Sequence, residues 1–70
     1  MASVGIKRAE YWIKRGETMA SRGMFKEALD YFERSLFEDP SSMTARVNIW
    51  KVYLLQKERE MRREMRFRDS

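Results

Sequence analysis

The chain has no cysteine and no histidine, and its 70 residues include only one proline and three glycines. Without cysteine no disulfide can brace the fold, and without either residue the common zinc sets and the nucleophile–base pairs built on them are excluded. The three glycines are isolated, so no phosphate-cradling loop can be drawn from them. No apolar run approaches the roughly 20 residues of a membrane span. The opening "MASVGIKR" lacks the apolar segment of a secretory leader. The reading is a soluble, cytoplasmic chain with no cofactor, no metal and no transmembrane segment. Carboxylates are the one remaining catalytic type. Glu27, Asp30 and Glu33 fall on the polar side of an amphipathic stretch, where they act as solvating charges. A non-catalytic protein is therefore expected.

What is present is 43% hydrophobic and 37% charged, too apolar for a disordered chain and suited to helices with a solvated surface. Domains of this length bury a low fraction of their surface, so oligomerisation or very good helix packing has to supply stability. The net charge of +4 and pI near 9.8 admit an acidic partner or nucleic acid.

Three helices follow from spacing and punctuation. Between Ala9 and Arg22 the apolar residues Tyr11, Trp12, Ile13, Met19 and Ala20 recur at helical spacing, and Gly23 stands where a left-handed cap is expected. Ser3 offers a cap for an earlier start. From Phe25 to Phe37, one face carries Phe25, Ala28, Leu29, Phe32 and Leu36, with charges between them. Pro40 ends that helix, and Ser41 or Ser42 caps a third that runs from Met43 to about Phe67. Residues 1–8 are an extension or the start of the first helix, 9–42 a helical hairpin, and 43–70 a long capping helix. The fold class is all-α.

Within the hairpin, "GMFKEALDYFERSLFEDP" spaces Ala28, Phe32, Ser35 and Pro40 by four, three and five after Gly23. Together with Trp12, Gly16, Met19 and Phe25, this pattern resembles the tetratricopeptide repeat over the 34 residues from Ala9 to Ser42. Small side chains at Gly16, Ala28 and Ser35 allow two antiparallel helices to approach, while Trp12, Phe25 and Phe32 fill the space around the contact. A generic three-helix bundle is the plainer reading. Advancing by one repeat carries Ile13 to Val47, Met19 to Tyr53 and Ala20 to Leu54, so the third helix reads as a second first-helix that serves as a cap. Two positions depart from the pattern. Gly16 advances to Trp50, and Arg15 replaces an apolar contact with a stem able to snorkel as part of a polar cap.

The resemblance implies a groove lined by first-helix side chains that holds a peptide or partner helix. Here Ile13, Glu17, Ala20, Val47, Asn48, Lys51 and Leu54 would line it, with Glu10, Ser21, Thr44 and Leu55 beside them. The family's clamp for chaperone tails is broken: Ile13 and Glu17 occupy its positions, only Asn48 agrees, and Glu17 repels a carboxylate. Trp50 and Tyr53 either face an unfilled helix slot as interface anchors, with Met61 and Met65 extending the surface, or Trp50 folds down onto the second helix. Repeats of this kind need neighbours for stability, so a homo-oligomer or a larger complex is expected.

The tail "KEREMRREMRFRDS" presents Arg59, Arg62, Arg63, Arg66 and Arg68. As a basic patch it would contact phosphates or steer acidic partners. As a helix end it is a solvated surface with favourable Glu58–Arg62 and Glu64–Arg68 spacings and Arg near the negative end of the dipole. Met61, Met65 and Phe67 add a short apolar stripe that would suit a membrane surface less well than a partner helix.

Overall fold

The computed structural model describes residues 3–69, with side chains for 5–63, and among these residues it is wholly helical between turns. Helix α1 spans Ser3–Ser21, α2 spans Phe25–Glu38 and α3 spans Met43–Asp69. Helices α1 and α2 form a tight hairpin, α3 lies mainly on α2, and α1 and α3 barely meet.

The first turn is built from backbone geometry. Gly23 has φ +77°, a conformation that costs an L side chain about 1–2 kcal/mol. Its N–H donates to the Ala20 carbonyl at 3.0 Å, and the Met24 N–H reaches back to the Met19 carbonyl at 2.9 Å. These two bonds satisfy carbonyls that the end of α1 leaves free. Gly23→Ala is expected to lower stability by about 1 kcal/mol without changing the fold, read as a lower urea midpoint at constant slope. An unchanged midpoint would show that the turn tolerates a Cβ.

The second turn is held by side chains. Asp39 is extended, as a residue before proline must be, and its Oδ1 accepts from the Ser41 hydroxyl at 2.8 Å and the Ser41 N–H at 3.3 Å. Of the two serines offered as caps, Ser42 takes the role: its Oγ accepts the Ala45 N–H at 3.2 Å.

Helix α1 begins at Ser3, six residues before Ala9, so residues 3–8 are the start of the first helix, one of the two readings of this segment. At Gly5 an added Cβ would sit 3.0 Å from the Glu38 carbonyl oxygen, so the start of α1 rests against the end of α2 through a residue that reads locally as a helix breaker. The expected Ser3 cap concerns a side chain outside the described residues. Helix α2 runs one residue past Phe37, and α3 continues two past Phe67.

The core sits where α1, α2 and α3 converge: Ile13, Ala28, Phe32, Ala45 and Val52 are buried, with Met19, Phe25, Leu29, Leu36 and Ile49 packed around them. Phe32 fills the hollow left by Gly16, where a Cβ would lie 2.5 Å from its ring. Ser35 is fully buried, and its Oγ has no hydrogen-bond partner among the described residues. The site selects for size and leaves a hydroxyl stranded. Ser35→Ala is therefore expected to raise stability by about 1 kcal/mol, seen as a higher melting temperature. A lower one would show that the hydroxyl contributes a bond.

Candidate interaction surface

Helix α3 is apolar on two opposite sides. Ala45, Ile49, Val52 and Gln56 recur by four, three and four along the side turned to the hairpin. At 100° per residue, Met43, Val47, Trp50, Leu54 and Met61 share the side away from it, although Met43, at the first residue of the helix, also borders a groove toward α1. All five are exposed, Trp50 at 68% and Met61 at 62%. Tyr53 and Leu55, also exposed, flank this stripe to either side. Trp50 therefore does not fold down onto α2: the hairpin occupies the other face, and the indole is aimed outward.

An accessible surface of 5983 Å² is about 1,300 Å² more than the roughly 4,650 Å² expected of a compact 8.5 kDa protein. The radius of gyration, 14.7 Å against about 11 Å for a compact chain of this length, has the same origin. Helix α3, 27 residues and about 40 Å long, runs past the hairpin and has no covering on its outer face among the described residues.

The residues expected to share one groove are distributed differently. A groove of about 420 Å³ lies between α1 and the start of α3, lined by Ile6, Glu10, Ile13, Glu17, Met43 and Thr44 among others. Only Ile13 and Glu17 of the seven groove residues line it, and Ile13, 7% exposed, is mostly committed to the core. Ala20 and Asn48 are half-buried, and Lys51 is exposed. Val47 and Leu54 belong to the outer stripe of α3. The physical reason is that α1 meets α3 only near its beginning, so the two helices do not enclose a continuous trough.

The basic patch also divides. Arg59 lies on the hairpin side of α3, seven residues beyond Val52. Its Nη1 is 3.4 Å from the Gly23 carbonyl, and its guanidinium sits 5.1 Å from the Phe25 ring centre. It ties the long helix to the α1–α2 turn. Arg62 and Arg63 are exposed. The side chains of Met65, Arg66, Phe67 and Arg68 lie outside the described residues.

Sequence reasoning missed an aromatic ladder across the hairpin. Trp12 stacks on Tyr31 at 5.7 Å and meets Tyr11 edge-on at 5.1 Å. Arg34 covers the Trp12 ring at 5.2 Å, and Arg15 lies 5.4 Å over Tyr31 and 5.6 Å over Tyr11, donating to the Tyr11 hydroxyl at 3.0 Å. Hydrogen bonding to Tyr31, then to Tyr11, raises the Arg15 pKa above its ordinary value, so it stays charged. Arg15 thus covers aromatic surface with a cation, a sharper role than a snorkelling stem. The four-residue step from Tyr11 to Arg15 was the available signal. The contribution of α2 was not visible from spacing.

Among the described residues no helix is long and apolar enough to cross a membrane, and no group of three or more acidic side chains is placed to hold a metal. Comparison with protein-family models, with curated proteins and with solved structures finds no match to this chain.

Proposed function

We propose that the protein is a non-catalytic, cytoplasmic protein-interaction module: a tetratricopeptide-like hairpin that presents a long helix for capture of a partner helix. The single observation that carries this reading is the outer stripe of α3, five apolar residues at helical spacing left exposed opposite the packed face. An apolar stripe of this form is what an amphipathic helix needs from a partner, and Trp and Tyr are the side chains that most often anchor such contacts. The tetratricopeptide reading is supported by the close approach at Gly16, the buried small residues Ala28 and Ser35, and the glycine turn. The groove between α1 and α3 is secondary, because its apolar floor is largely spent on the core.

The competing reading is phosphate contact through the exposed Arg62 and Arg63 and the arginines beyond them. Fluorescence anisotropy separates the two with a labelled model helix carrying leucine at its a and d positions and a labelled single-stranded oligonucleotide. Helix capture predicts saturable peptide binding that survives about 0.5 M salt and is lost in Leu54→Glu. Oligonucleotide binding that falls by orders of magnitude with salt, with no Leu54-dependent peptide binding, would replace this proposal with the nucleic-acid reading.

A further inference from the structure

We infer that the occupant of the outer face of α3 is α3 of a second copy of this chain, paired antiparallel so that Trp50 of each copy lies against Leu54 of the other. This rests on the helix-capture reading and names its partner.

The outer stripe has the spacing of a coiled-coil seam. Met43, Val47, Trp50, Leu54, Lys57 and Met61 advance by four, three, four, three and four, which are alternating d and a positions. They span about 27 Å of helix, enough for a short two-helix seam. Because α2 holds the opposite face, through Ala45 and Val52, two copies can approach through this stripe with their hairpins pointing away.

Charge selects the orientation. In a parallel pair, each seam residue meets its own counterpart, so Lys57 would face Lys57 within the apolar layer. The flanking positions would set Arg46 against Lys51 on both sides. In the antiparallel pair, a positions face d positions. Centring the two-fold axis at Val52 puts Met43 against Met61, Val47 against Lys57, and Trp50 against Leu54, each twice. Lys57 then extends its methylenes over Val47 and carries its ammonium to water. On one flank, Arg46, whose guanidinium donates to the Pro40 carbonyl at 3.2 Å and remains exposed, comes opposite Glu60 of the second copy, again twice. On the other flank, Lys51 meets Lys51 near the axis, a single like-charge contact against two favourable ones. Parallel pairing offers no such compensation.

The area is also of the right size. The excess surface of about 1,300 Å² exceeds the roughly 800 Å² per partner that a standard stable interface covers. An antiparallel helix pair would cover Trp50, Leu54 and Met61, each more than half exposed in the single chain.

The absence of native cysteine makes a direct test possible. Met43→Cys and Met61→Cys chains, both altered at exposed positions, are mixed in a glutathione redox buffer. Phe37→Cys, on the exposed side of α2, serves as a collision control. The expected result is a 43–61 mixed disulfide formed at least tenfold in excess over the 43–43 and 61–61 species, with Phe37→Cys chains remaining uncrosslinked. Predominant 43–43 and 61–61 products would overturn the antiparallel pairing. Crosslinking no greater than the control, with a single-chain mass by light scattering, would overturn the second copy as occupant. In that event, Leu54-dependent binding of the model helix would leave helix capture standing, and its absence would remove that as well.

Discussion

Phe32→Ala is expected to lower stability by about 3–5 kcal/mol and the melting temperature by roughly ten degrees or more. Phe32 is 1% exposed at the convergence of all three helices, and its ring occupies the hollow that Gly16 provides. Truncating a buried phenylalanine costs about 3–5 kcal/mol. A domain of this length has a total stability of roughly 4–10 kcal/mol, so one substitution removes a large share of it. Collapse cannot repair the loss, because Gly16 has no side chain to move into the space and Ala28 on the same face is already small. Far-UV circular dichroism across a thermal ramp checks this, with Phe32→Leu as a milder companion that keeps part of the volume. A melting temperature within a few degrees of the unsubstituted protein would mean that Phe32 does not organise the core.

Leu54→Glu should leave the single chain folded and remove its association. Leu54 is exposed on α3, so the monomer loses no core contact, and glutamate is as good a helix former as leucine. In the antiparallel pair, the same position lies at the centre of the seam against Trp50 of the other copy, and the two-fold axis places the charge there twice. Burying unpaired carboxylates in an apolar layer is strongly unfavourable. An increase in dimer dissociation constant of at least 100-fold is expected, about 2.7 kcal/mol. Sedimentation equilibrium reads the constant, and helicity at high dilution verifies that the monomer is intact. Association unchanged by the substitution would place the interface elsewhere. A loss of helicity in the dilute monomer would show that Leu54 supports the fold itself.

Local punctuation was readable from residue types because its physics is local. Gly23 adopts the one conformation that glycine tolerates cheaply, Pro40 forces Asp39 out of the helix, and Ser42 meets a backbone donor three residues on. The size alternation of Gly16, Ala28, Phe32 and Ser35 likewise identified which helix faces meet. From sequence, the start of α1 stays between two readings, since Ser3 offers an earlier cap while the apolar spacing begins only at Tyr11, and the contact of Gly5 with the Glu38 carbonyl is not visible from spacing. The direction of Trp50 was undecidable for a related reason. A helix that is apolar on two opposite sides gives no single stripe, and only the placement of α2 shows which side remains open. Arg59 was grouped with the other arginines of a charged run, although its seven-residue step from Val52 put it on the packed side. The set offered as one groove failed to converge because it assumed that α1 and α3 run in contact along their length.

Pairing of the outer face of α3 with a second copy is the central claim. Light scattering across a dilution series in moderate salt measures this directly. The expected mass rises with concentration from the 8.5 kDa of one chain toward twice that value, with a midpoint that changes little at higher salt. A mass of one chain at every concentration up to the solubility limit would contradict it.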